Sequence, residues 1–209
     1  MQDGDIFTTV NSGDLEILNY VTAKNVTVRF IKTGTEKTTC SINIKRGNVK
    51  DYFYPAVYGV GFLGEGQYKP RGSDKHASIR WKGMLERCYS DRYQALKPTY
   101  IGCVVCDEWH NFQNFAEWFY NNHIDGFELD KDKLGNGKLY SPDTCCFISR
   151  AENVEISQAQ HYKFTHKDHG TIDVFNLSKF CREFGLTRAN MHKVINGARN
   201  HHKGWTIYE

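Results

Sequence analysis

The sequence predicts an α+β protein of three segments: a small N-terminal antiparallel β domain, a central segment of packed helices with a two-stranded ribbon, and a C-terminal helix-turn-helix. Three observations carry that reading. Apolar residues alternate at Val26, Val28 and Phe30; they recur at helical spacing in Trp81, Met84, Leu85 and Cys88; and two short apolar stripes flank Gly185. The boundaries fall at residues 1–58, a glycine-rich linker at 59–73, a central domain at 74–160 and a C-terminal domain at 161–209.

In the first segment Leu15–Tyr20, Val26–Ile31 and Thr38–Ile44 read as strands, separated by Lys24–Asn25 and Thr33–Gly34. Arg29, Lys32, Lys45 and Arg46 are the polar positions that can reach DNA, and solvated strand faces explain them equally well. Gly59, Gly61 and Gly64 fit G-x-G-x-x-G, but Gly66, Pro70 and Gly72 break any following helix, so no nucleotide cofactor is expected.

The central segment opens with the Trp81–Cys88 helix, capped near Ser73 or Ser78, and continues with a second helix whose Phe112, Phe115, Ala116 and Phe119 line one face. Phe127–Leu134, the turn Gly135–Asn136–Gly137 and Leu139–Ile148 then read as strand, turn and strand. Ser149 and Glu152 supply an S-x-x-E capping box for the next helix. Finally, Leu177, Phe180, Cys181 and Phe184 form one stripe and Leu186, Met191, Val194 and Ile195 the next. Thr187 is placed to cap the second of these helices, which leaves Arg188, Asn190, His192 and Lys193 for base edges, followed by Arg199 and Lys203.

The chain has 209 residues, 40% hydrophobic and 24% charged, enough apolar surface to exclude wholesale disorder. No apolar run is long enough to span a membrane, and the first ten residues lack a basic-then-apolar leader, so a soluble intracellular protein is expected. Seven cysteines, an odd number, then favour burial or metal ligation over disulfides. Charge is uneven: residues 1–72 carry +2, 73–160 carry −3 and 161–209 carry +4, with six of the nine histidines in the last stretch. An acidic centre between basic ends suits a phosphate-handling core between two nucleic-acid grips; accidental scatter is the bland alternative.

Arg80, Trp81, Met84, Leu85, Arg87 and Cys88, then Tyr100, Gly102, Val105, Cys106 and Trp109, then Phe112 and Phe115, Leu129–Asp130–Lys131–Asp132 and Tyr140–Ser–Pro–Asp–Thr–Cys145 form an ordered motif string. That string resembles phage-encoded HNH-type homing endonucleases, and residues 175–207, ending in His202–Lys–Gly–Trp205, resemble the helix-turn-helix repeat of intron-encoded nucleases. The resemblance covers a little over half the chain. It implies a ββα-metal core that clamps one divalent ion against a scissile phosphate in double-stranded DNA, in the cytoplasm of a phage's host. Asp130 matches the strand carboxylate and Asn153 the helix ligand; such hard donors suit Mg²⁺ or Mn²⁺. Lys131 stands where the family places its general-base histidine. A lysine with a reference pKa of about 10.4 is a poor base near neutral pH. Lys131 is then a candidate for stabilising the phosphate, with His123, Asp132 or a metal-bound hydroxide as base.

Cys88, Cys103, Cys106 and Cys145, or its neighbour Cys146, are candidates for a structural Zn²⁺ site, because a C-x-x-C step plus distant thiolates is tetrahedral-site chemistry. Cys88 equally fits an apolar helix face as a small hydrophobe. The preferred function is a site-specific DNA endonuclease. The rivals are a DNA-binding protein on the same scaffold without cleavage, which Lys131 favours, and a module that binds an acidic protein partner. No feature decides between monomer and homodimer.

Overall fold

The computed structural model describes all residues except 135, 136, 158–160, 175 and 209, and at 155–157 it describes the backbone alone. Part of the expected Gly135–Asn136–Gly137 turn, the residues before the 160/161 boundary and Phe175 therefore lie outside the described residues. The architecture is mixed α and β, with several small sheets. It forms two compact units, Met1–Asp125 with Leu129–Phe147, and Gly126–Glu128 with Ile148–Glu209.

The first unit begins with an antiparallel sheet in sequential order, β1 (Ile6–Thr8), β2 (Asp14–Thr22), β3 (Asn25–Phe30) and β4 (Glu36–Thr39). Its core is Leu15, Ile17, Val26, Val28 and Phe30, the inward members of the alternating strands, closed by Ile44 and Val49. The expected strand over Thr38–Ile44 is corrected: pairing stops at Thr39, and Ser41–Lys45 is a short helix, α1. Ile42 and Ile44 mimic strand alternation, but Gly47 N–H donates to Ile44 O and Asn48 N–H to Asn43 O, with Gly47 at φ +64°. That is a Schellman stop, which a glycine after a helix end allows.

Residues 57–64 pack onto the helices that follow. Gly61 is crowded by Leu85 and Trp81, and Gly64 (φ +65°) lies against the side chain of Asn111. Next come α2 (Lys75–Tyr89), α3 (Asp91–Leu96), β5 (Val104–Val105) and α4 (Phe112–Asn122). The apolar stripes of α2 and α4 face each other as their periodicity requires, around fully buried Trp81, Met84, Phe112 and Phe115. Trp81 Nε1 donates to Trp109 O at 2.7 Å. The cap of α2 is Asp74 rather than either serine. Asp74 accepts from Ser73 Oγ, while Ser78 is buried inside the helix. At α4, Asn111 Oδ1 accepts from Gln113 N–H.

The ribbon differs from the expected hairpin. Strand β6 is only Glu128–Asp130, and β7 (Leu139–Tyr140) pairs with β5, in parallel. The partner of β6 is β8 (Cys146–Ile148). Two local causes shorten these strands. Asp130 accepts from the N–H groups of Asp132 and Lys133, an Asx-type turn that competes with strand. Pro142 lies within a Ser141–Thr144 turn closed by Ser141–Thr144 hydrogen bonds.

In the second unit α5 (Arg150–Ser157) starts as expected, with Ser149 Oγ accepting from Glu152 N–H at 3.2 Å. A hairpin of β9 (Tyr162–His166) and β10 (Gly170–Val174) follows, then α6 (Leu177–Glu183), α7 (Arg188–Ile195) and β11 (Thr206–Ile207), which joins β9 as a third strand. This sheet was not legible in the sequence. Its inward residue Phe164 stacks on Phe180 of α6, and Trp205 packs edge-on to Phe180 and Phe184. Gly185 (φ +60°) ends α6 with a second Schellman stop, Leu186 N–H donating to Cys181 O at 2.7 Å. The side chain of Thr187 makes no capping bond to α7; its own N–H is accepted by His202 Nε2 at 3.1 Å.

Candidate nuclease and nucleic-acid-binding residues

In the first unit, Asp130 ends β6 and is 5% exposed. Its Oδ1 accepts from Asp132 N–H at 3.0 Å and Lys133 N–H at 2.8 Å. Burial pushes its carboxyl above the ordinary range, and the backbone N–H groups and Lys131 oppose that. A carboxylate held up by burial is one that a cation would relieve, and Oδ2 carries none of these backbone bonds.

Lys131 is 7% exposed, unusual for a lysine. Its Nζ donates to Asp132 Oδ1 at 2.8 Å and lies 5.4 Å and 5.6 Å from the ring centroids of Tyr100 and Tyr140. Arg87, on α2, lies over the same Tyr100 ring at 5.9 Å from its centroid, a second cation in this cluster. The ammonium of Lys131 is thus matched by one carboxylate and two aromatic faces. A charged ammonium has no lone pair for taking a proton from water. Asp132 is tied to this ammonium.

His123 follows α4. Its ring stacks on Phe119 at 4.4 Å and meets Phe147 of β8 edge-on at 5.2 Å. Its Nδ1 lies 3.7 Å from Asp125 Oδ1.

Asn153 belongs to the second unit, on α5, and its Nδ2 donates to Glu128 Oε2. Glu128 is a residue that sequence reasoning missed. The signal was present, since Glu128 stands two places before Asp130 in a short strand, where alternation assigns both to one face.

Cys88, Cys103 and Cys145 are buried in one core, with Cys106 partly buried against it. Burial pushes the thiols of Cys88 and Cys145 up to about 12 and raises Cys106. Cys103 Sγ faces Gly137 O at 3.6 Å. Among the described residues no three His, Cys, Asp or Glu side chains are arranged to hold a metal ion. Buried among apolar side chains, thiols of this kind pack as small hydrophobes.

The basic candidates fall into two groups. Arg29 pairs with Glu16 at 2.9 Å, while Lys45 and Arg46 are exposed at the end of α1. In the second unit Arg188, His192 and Lys193 are exposed on α7 and Asn190 is half-buried, whereas Met191 and Val194 face the core. Arg188 and His192 are one helical turn apart, so they lie on one face. Arg199 Nε donates to His201 O at 2.8 Å, and Lys203, a non-glycine residue at φ +50°, donates from Nζ to Gly185 O at 2.8 Å. Lys203 therefore braces the turn between α6 and α7. Among the described residues no helix is long and apolar enough to cross a membrane.

Residues 169–207 match the family model described as DNA endonuclease I-HmuI-like, NUMOD-like domain. These residues span β10, α6, α7 and β11, the elements that carry the basic face. A solved structure reported under DNA binding and cleavage by the HNH homing endonuclease I-HmuI is 21% identical over 46% of this chain and 66% of that one, just under two thirds of its length. Its TM-score is 0.24, too low to define a common fold. No curated protein matches the chain.

Proposed function

We propose that this protein is a site-specific DNA endonuclease of the HNH homing type that hydrolyses a phosphodiester in double-stranded DNA. The observation that carries the reading is the match of residues 169–207 to a domain of I-HmuI-like DNA endonucleases, on the elements where Arg188, His192 and Lys193 are exposed. In this reading α6 and α7 are a helix-turn-helix that docks on the duplex, with β6, β8 and α5 as a ββα-metal core.

The donor chemistry suits one hard divalent cation. Asp130 offers carboxylate Oδ2 and Asn153 offers carboxamide Oδ1, and Mg²⁺ commonly keeps several waters beside one or two protein oxygens. When bound, the ion supplies Lewis-acid stabilisation of the charge that develops on the phosphate. The chain's own residues do the rest. His123, whose Nδ1 lies 3.7 Å from the exposed Asp125 carboxylate, takes the proton of the attacking water. Lys131 holds Asp132, and through the turn the Asp130 backbone, in place; it moves no proton.

Asp130→Ala and Asn153→Ala are expected to abolish cleavage while leaving DNA affinity nearly unchanged, read by nicking and by electrophoretic mobility shift. Parallel loss of both activities contradicts the assignment. A second reading, a DNA-binding protein on this scaffold without cleavage, is favoured by the caged ammonium of Lys131 in the usual base position. It predicts binding with a steep salt dependence and no metal-dependent scission.

A further inference from the structure

The Glu128 carboxylate accepts from Asn153 Nδ2 through Oε2. A carboxylate can only accept, so the carboxamide must turn its NH₂ end toward Glu128 and its Oδ1 the other way. Without such a partner the χ2 of an asparagine is broad and close to two-fold, and either end faces a given direction. The backbone at this position is already fixed, because Asn153 N–H donates to Ser149 O at 2.9 Å in the first turn of α5. Glu128 thus selects one of the two ends of the carboxamide.

We propose that Glu128 is a positioning residue that aims Asn153 Oδ1 at a hard divalent cation; this rests on the nuclease reading above. The carboxylate itself is not a ligand in this scheme. Its role is the one that outer-shell groups play at metal sites, where their loss commonly weakens metal affinity by about 10–100-fold. Charge sharpens the effect, since a carboxylate is a stronger acceptor for the amide than a neutral group.

The test measures Mn²⁺ binding to the full chain without DNA, from the electron paramagnetic resonance signal of free Mn²⁺. Glu128→Ala is expected to weaken binding by about tenfold or more. Glu128→Gln keeps an acceptor oxygen for Asn153 and is expected to bind close to wild type. Asn153→Asp sets two carboxylates against each other and weakens binding, and the double variant Glu128→Gln/Asn153→Asp restores the hydrogen bond and the affinity. Wild-type affinity in Glu128→Ala overturns the positioning role and leaves the nuclease reading standing. Absence of Mn²⁺ binding by the wild type, or wild-type binding by Asp130→Ala, overturns the metal site and this inference together. Should circular dichroism show Glu128→Ala unfolded, the rescue decides: no recovery in the double variant overturns the proposal.

Discussion

Replacing Lys131 separates a structural cation from a catalytic one. The ammonium pairs with Asp132 at 2.8 Å, and Asp132 is half exposed, so the pair is worth about 1 kcal/mol after solvent screening. Two tyrosine rings near 5.5 Å add about 0.5–1 kcal/mol each for a cation taken out of water. The buried methylene stem contributes roughly another 1 kcal/mol. Lys131→Ala is therefore expected to cost about 3 kcal/mol, and Lys131→Met, which keeps the stem, about 2 kcal/mol. In urea unfolding followed by tryptophan fluorescence, with a slope of about 2 kcal/mol/M, the midpoints fall by about 1.5 M and 1 M. Cleavage by Lys131→Met, assayed where the variant is folded, should keep the wild-type pH profile. Unchanged midpoints in both variants, or a folded Lys131→Met whose cleavage has lost a limb of the wild-type pH profile, would refute the structural role.

Three more outcomes follow from the geometry. Arg188→Ala and Lys193→Ala should each weaken duplex binding and lower the slope of log affinity against log salt by about 1, measured by fluorescence anisotropy over a salt series; an unchanged slope would show that the face of α7 does not meet phosphates. Gly64→Ala puts a Cβ onto the Asn111 side chain at φ +65°, so it should cost about 2–3 kcal/mol through backbone strain and loss of the α4 cap, and a thermal midpoint like wild type would contradict that packing. His202 is held below its ordinary pKa of 6.5 by burial and then by Arg199, Lys203 and His201. The unfolded chain therefore takes up a proton near pH 6.5 that the folded chain resists, so the stability His202 confers is complete above pH 6.5 and is lost as pH falls below it. His202→Gln keeps an acceptor for Thr187 N–H and should flatten that slope in thermal unfolding; a variant with the wild-type slope would place the effect elsewhere.

Helices α2 and α4 were legible because their core is made by local periodicity, and Trp81, Met84, Phe112 and Phe115 need only a 3.6-residue repeat to be found. The sheet of the second unit was hidden because its strands are short: Tyr162 with Phe164, and Ile172 with Val174, give one step of alternation each among Lys163, His166 and Asp173. Ile42 and Ile44 misled for the opposite reason. A period of two was present, yet the glycine stop at Gly47 wound the segment into a helix. In the candidate site, Asp130 and Asn153 were picked out by the resemblance to HNH endonucleases. The cage around Lys131 was not, since Tyr100 and Tyr140 meet it only through tertiary packing. Glu128 was within reach of strand alternation from Asp130, but its hydrogen bond to Asn153 of α5 was not.

The central claim is that this chain cuts DNA. Purified protein incubated with genomic DNA of the organism that encodes it, in Mg²⁺, in Mn²⁺ and in chelator, with strand breaks mapped by sequencing, tests that claim most directly. Discrete breaks that need the metal and vanish in Asp130→Ala are the predicted result. Intact DNA under every condition, together with a footprint at a defined site, would contradict cleavage and leave a protein that binds DNA without cutting it.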